Sequence, residues 1–246
     1  LDTSLYVNLS YQSSLDRRLE LVANNIANLN TTGFKAERAM FDDASFKAGP
    51  AADVSFVIDR ASYTDFKTGS VTQTGNQLDI AVVGDGWISV ETDEGIRYTR
   101  DGRMTINAQG ELSALDGGAI LDRQGGRIQI PQEANNVAIS RAGQVSVQIQ
   151  GEPLPIELGE IGIFEFADPQ NLIREADGRF NADGLNAQVA EDSRVQQFAI
   201  ESSNINPIKE IIELMELSRA YSQTAGSSQD IHDQKKDSIK RLGSNK

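Results

Sequence analysis

The sequence predicts an α+β chain: long N- and C-terminal helices that form a coiled-coil-like pair, and a central antiparallel β-rich domain between them. Three observations carry this. Residues 1–32 contain no glycine or proline, whereas residues 33–184 hold 19 of the 21 glycines, and all six prolines lie between Pro50 and Pro207. Helix breakers are therefore confined to the middle. Apolar residues recur at three- and four-residue steps near both ends but alternate in the centre. Charge divides the same way: the formal net charge of -13 sits wholly within residues 30–206, while residues 1–29 carry -1 and residues 207–246 carry +1. Four segments follow, at 1–33, 34–76, 77–202 and 203–246.

In the first, Leu5, Leu9, Leu15, Leu19, Val22, Ile26 and Leu29 mark one face of a helix. At about 28 residues it would be about 42 Å long. Thr32-Gly33 ends it, because glycine tolerates the left-handed turn that commonly follows a helix. The segment 34–76 is polar and weakly periodic, with Phe34, Phe41, Phe46, Phe56 and Phe66 as spaced anchors, and reads as an extended connector. In the third segment Gln144–Gln150 alternates strictly, and Trp87–Thr92, Leu154–Leu158 and Ile161–Phe166 read as further strands. Ile96 and Tyr98, then Met104 and Ile106, alternate around Asp101-Gly102 and suggest a hairpin. The last segment opens on Asn206-Pro207, a cap followed by a proline whose missing N–H costs nothing in the first turn. Its apolar face is Ile208, Ile211, Ile212, Met215 and Tyr221, widened by Leu214 and Leu217, with a softening expected near Gly226-Ser227-Ser228.

Composition excludes several functions. An acidic chain repels nucleic-acid phosphate. No run of 18 apolar residues exists, so no membrane-spanning helix is expected, and no basic-then-apolar leader opens the sequence. Cysteine is absent and His232 is the single histidine, which removes disulfides, thiolate chemistry and most metal sites. The carboxylates at Asp101, Asp116, Asp177 and Asp183 each precede glycine and are explained by turns rather than by acid–base work. No catalytic residue, cofactor or metal site is expected, and the chain does not read as an enzyme.

Two long motifs add a resemblance. Ala23-Asn24-Asn25-Ile26-Ala27-Asn28-Leu29-Asn30-Thr31-Thr32-Gly33-Phe34-Lys35-Ala36 resembles the N-terminal signature of bacterial flagellar rod and hook proteins. Ser203-Asn204-Ile205-Asn206-Pro207-Ile208, running on to Arg219-Ala220-Tyr221, resembles the matching C-terminal signature. Leu78-Asp79-Ile80-Ala81-Val82, Asp85-Gly86-Trp87 and Tyr98-Thr99-Arg100-Asp101-Gly102 are similar to the β domain of the longer rod members.

The resemblance implies a structural subunit of the flagellar basal-body rod, crossing the periplasm. It would be exported unfolded by the flagellar type III apparatus and would assemble with copies of itself and other rod proteins to transmit torque. The compact 34–76 segment and Asp85-Gly86-Trp87 look more like a proximal than a distal rod member. It further implies a subunit interface made by Leu5, Leu9, Leu15, Leu19, Val22, Asn25, Ile26, Asn28, Ile208, Ile211, Ile212, Met215 and Tyr221. The competing readings are a distal rod protein of the same family and a secreted acidic β-rich binding protein on a helical stalk.

Overall fold

The computed structural model describes residues 2–47 and 53–243, with side chains described over 7–41, 61–227 and a few positions beyond. Leu5, Phe46, Phe56 and His232 lie outside the described side chains. The chain forms two compact units. The first combines Leu1–Ala27, Ala36–Asp65 and Ile205–Lys246; the second combines Asn28–Lys35 with Phe66–Asn204.

The first unit contains α1 (Asp2–Ala27), α2 (Pro207–Gly243) and a hairpin of β1 (Glu37–Lys47) with β2 (Asp53–Thr64). α1 stops two residues before Leu29, in a turn where the Thr31 amide and hydroxyl both bond back to Asn28. α2 starts as its sequence demands: the Asn206 side chain accepts the Lys209 amide at 3.2 Å. The expected softening near Gly226 does not occur, and α2 runs unbroken through it. The hydroxyls of Ser222, Thr224 and Ser227 each donate to the carbonyl four residues earlier, so the small polar residues are satisfied within the helix. The connector also differs from expectation. Residues 37–47 and 53–64 are extended and pair with each other, from Glu37↔Thr64 to Lys47↔Asp53, with a register shift between Met40 and Phe41. Pairing a polar strand with its neighbour satisfies backbone groups that an isolated connector would leave to water.

The second unit is antiparallel. Its strands are β3 (Val71–Gln73), β4 (Ile80–Val83), β5 (Trp87–Thr92), β6 (Gly95–Thr99), β7 (Met104–Ile106), β8 (Leu112–Ala114) and β9 (Ala119–Ile120). There follow β10 (Ala134–Ile139), β11 (Gln144–Ile149), β12 (Ile156–Glu160), β13 (Ile163–Glu165), β14 (Ile173–Arg174) and β15 (Phe180–Asn181). The last three are β16 (Gln188–Val189), β17 (Arg194–Gln197) and β18 (Ala199–Glu201). The main sheet has the order β14-β15-β6-β5-β9-β8-β7, with β13 joining β5 to β16. Beside it lie a β10-β11-β12 meander and the two-stranded pairs β17-β4 and β18-β3.

The strict alternation at 144–150 is real: Val145 and Val147 are buried, and they pack with Ile80, Ile88, Leu112 and Ile161 in the main core. The hairpin expected around Asp101-Gly102 is not formed. β6 pairs with β5 and β15, and β7 with β8. The Asp101 carboxylate instead holds both the amide and the guanidinium of Arg103, and the Gly102 carbonyl accepts the Ile80 amide, so the chain turns a corner toward β4. A smaller aromatic core places Phe66, Trp87 and Phe180 with ring centroids 4.9–5.7 Å apart.

Candidate assembly surface

In the first unit, Leu15, Val22 and Leu217 are buried together, with Leu19, Ile26, Leu214, Ala220 and Tyr221 packed around them. The two helices are joined further by Gln12 donating to the Tyr221 hydroxyl at 3.1 Å and by Arg18 pairing with Glu213 at 3.0 Å. Of the interface residues expected from sequence, Leu15, Leu19, Val22, Ile26 and Tyr221 therefore bury apolar surface inside the chain.

Ile208, Ile211, Ile212 and Met215 do the opposite. They are 71, 47, 46 and 48 % exposed, and Leu9 on α1 is 58 % exposed. The inward face of α2 is Leu214, Leu217 and Tyr221; the sequence places Tyr221 on the main stripe and Leu214 and Leu217 only as a widening of it. A polar residue sets that rotation. Glu210 is fully buried; it pairs with Arg38 at 2.7 Å and receives the Asn25 amide at 3.4 Å. A carboxylate in that position must face its partners. Leu214, Leu217 and Tyr221, which follow at helical spacing, are carried inward with it.

Asn25 was expected to serve neighbouring subunits. It is instead buried, and its side-chain amide pairs with the Glu37 backbone in both directions, at 2.9 and 3.0 Å, in the manner of a strand partner. Asn28 sits in the turn after α1, where its side chain accepts the Thr31 hydroxyl at 3.0 Å.

Sequence reading missed the group that anchors the N-terminal motif in the second unit. Lys35, Arg100 and Glu201 are all buried. Glu201 accepts Lys35 Nζ at 2.6 Å, the Gly69 amide at 2.8 Å and Arg100 Nη1 at 3.3 Å. Lys35 also donates to the Lys67 carbonyl, and Arg100 to those of Val82 and Gly84 while lying over the Trp87 ring. Burial pushes the Arg100 guanidinium below its usual range, and Glu201 and Asp85 oppose that shift. Gly33 does more than stop a helix: at φ +69° it lies against Arg100, whose backbone a Cβ would strike, and its amide donates to the Glu201 carbonyl. The one local clue was Lys35 flanked by Phe34 and Ala36. Nothing in the spacing named its partner 166 residues away.

Among the described residues, no group of three or more His, Cys, Asp or Glu is placed to hold a metal ion. No helix there is long and apolar enough to cross a membrane. An open hollow of about 490 Å³ is lined by Glu91, Asp93 and Glu111, of which Glu91 and Glu111 are both bound by Arg127, at 2.7 and 3.1 Å.

Comparison with known proteins gives these features a family. "Flagella basal body rod protein" matches residues 5–35, "Flagellar hook protein FlgE/F/G D1 domain" residues 81–147, and "Flagellar basal body rod FlgEFG protein C-terminal" residues 196–227. The chain is 37 % identical to the flagellar basal-body rod protein FlgF of Caulobacter vibrioides, with 99 % of each chain covered. It is 34 % identical to the FlgF of Mesorhizobium japonicum, again over 99 % of each. The flagellar basal-body rod protein FlgG of Agrobacterium fabrum is 33 % identical over 82 % of this chain and 85 % of its own. The chain belongs to the flagellar basal-body rod protein family. Within that family it is FlgF-like, since the FlgF relatives align along nearly its whole length.

Proposed function

We propose that this chain is a non-catalytic structural subunit of the proximal flagellar rod, located where the rod crosses the periplasm and passing torque from motor to hook. Its terminal helices form a coiled-coil-like pair that packs against the pairs of neighbouring rod subunits. The supporting observation is the face formed by Ile208, Ile211, Ile212 and Met215, all 46–71 % exposed although the same helix already buries a different face. Leu5, Leu9 and these four would make contacts between subunits; Leu15, Leu19, Val22, Ile26 and Tyr221 would hold each pair together. Asn25 and Asn28 would act indirectly, by fixing where α1 ends. The other partners are further rod proteins and the flagellar export apparatus, to which the chain would be presented unfolded.

Ile212→Asp tests this. A surface change away from packed groups typically moves stability within about 0.5 kcal/mol. The variant should therefore unfold like the parent but fail to enter basal bodies or support swimming when it is the only copy. Normal motility would remove the proposal's main support. The distal reading keeps one observation in its favour, the 33 % identity to FlgG. Complementation separates the two: the chain should restore rods in a strain lacking FlgF and leave a strain lacking FlgG without them.

A further inference from the structure

The second unit carries -10 of the chain's net charge of -13, with 11 basic against 21 acidic side chains, so two copies repel each other over most of that surface. One region differs. Residues 68–78, 134–140 and 195–200 contain no charged side chain. The fold brings them together through Gln197, whose amide donates to the carbonyls of Gln77 and Val137 and whose oxygen accepts the Ile139 amide.

Phe198 sits at the centre of this region, where the chain leaves β17, paired with β4, and enters β18, paired with β3. It is the only non-glycine at positive φ among the described residues, at +63°, and its side chain is 44 % exposed. A bulky residue there is strained. The backbone is held in place by its amide donating to Asp79 and its carbonyl accepting from Thr74. Glycine would adopt the same corner without strain, and among the described residues no buried apolar cluster includes Phe198. Gln73 and Thr74, brought beside it by the pairing of β3 with β18, are exposed, as are Asn136 and Ala138 on β10, to which the adjacent Gln197 bonds.

We infer that this uncharged, Phe198-centred patch is a second contact surface of the β-rich unit, occupied by a neighbouring copy of the same chain. A charge-free, aromatic-centred surface has the composition of an interface core. It is also where two acidic units can meet without opposing charges. The inference rests on the rod reading above, and the test separates the two.

Phe198→Gly, as the only copy, should leave the Tm of the purified chain unchanged or raised by a few degrees while lowering incorporation into basal bodies at least tenfold. Asn136→Glu, which keeps Phe198 but places a charge in the patch, should lower incorporation similarly at unchanged Tm. Incorporation of either variant at the parental level overturns the inference. If Ile212→Asp also incorporates normally, the rod reading fails with it; if Ile212→Asp is excluded, only the patch fails. The chain has no cysteine, so Gln73→Cys carrying a benzophenone reports the occupant directly. A photo-cross-link to a second copy in isolated basal bodies supports the inference. A cross-link to any other protein, or none from an incorporated variant, overturns it.

Discussion

Glu201→Gln is expected to cost about 3–5 kcal/mol, the usual range when one partner of a buried ion pair is removed. Three buried groups share one negative charge: Lys35 and Arg100 both face Glu201, with side chains 0, 2 and 1 % exposed. Glutamine keeps the shape and can still accept the Gly69 amide, but it removes the negative charge that both cations face. At about 2–4 °C per kcal/mol for a chain of this size, the Tm should fall by roughly 10 °C. Trp87 is the only tryptophan and lies 5.0 Å beneath the Arg100 guanidinium, so its fluorescence follows the affected unit. Lys35→Met should cost less, because Glu201 then keeps Arg100 and the Gly69 amide. If Lys35→Met proved the more damaging change, charge balance would not be what holds the N-terminal motif.

Leu217→Asp should separate the helix pair while sparing the β-rich unit. Among the described residues, Leu15, Val22 and Leu217 form the buried apolar centre of that seam, and each such side chain contributes about 1.5–3 kcal/mol when fully buried. Truncating one large core residue typically costs about 2–5 kcal/mol, and an unpaired carboxylate adds to that. The sum is comparable to what these three side chains provide. Most of the helical circular dichroism should be lost and both termini should become protease-sensitive, while Trp87 emission stays native. Retained helical signal would mean that Glu210, Asn25 and Arg38 suffice to hold α1 to α2.

Much of the fold was legible because it depends on local chemistry. The glycine-free N-terminus, the Asn206-Pro207 helix start and the alternation of Val145 and Val147 each encode an element within a few residues. The segment 34–76 was less legible: a polar strand carries no local sign that its partner is the next stretch of the same chain. The corner at Asp101-Gly102 misled for a related reason. Turn residues announce a change of direction but not which strand the chain meets next, and here the partner of Gly102 is Ile80 in β4.

The candidate site divides in the same way. Periodicity marked Leu15 and Val22 on one helix and Ile208 and Ile212 on the other as apolar faces, the motifs at both ends identified the family, and that resemblance joined the two faces into one expected interface. The tertiary structure decided which of them the chain uses for itself. α2 has apolar residues on more than one face, and periodicity does not rank them. Buried Glu210 does, because its charge can be satisfied only toward Arg38 and Asn25. Lys35 was visible as a residue of the N-terminal motif, but its pairing with Glu201 is a contact across 166 residues. The sequence by itself determined the elements, their order and the kind of protein. The three-dimensional arrangement determined which apolar face is left for neighbours and which charges are buried, since both depend on partners far apart in the chain.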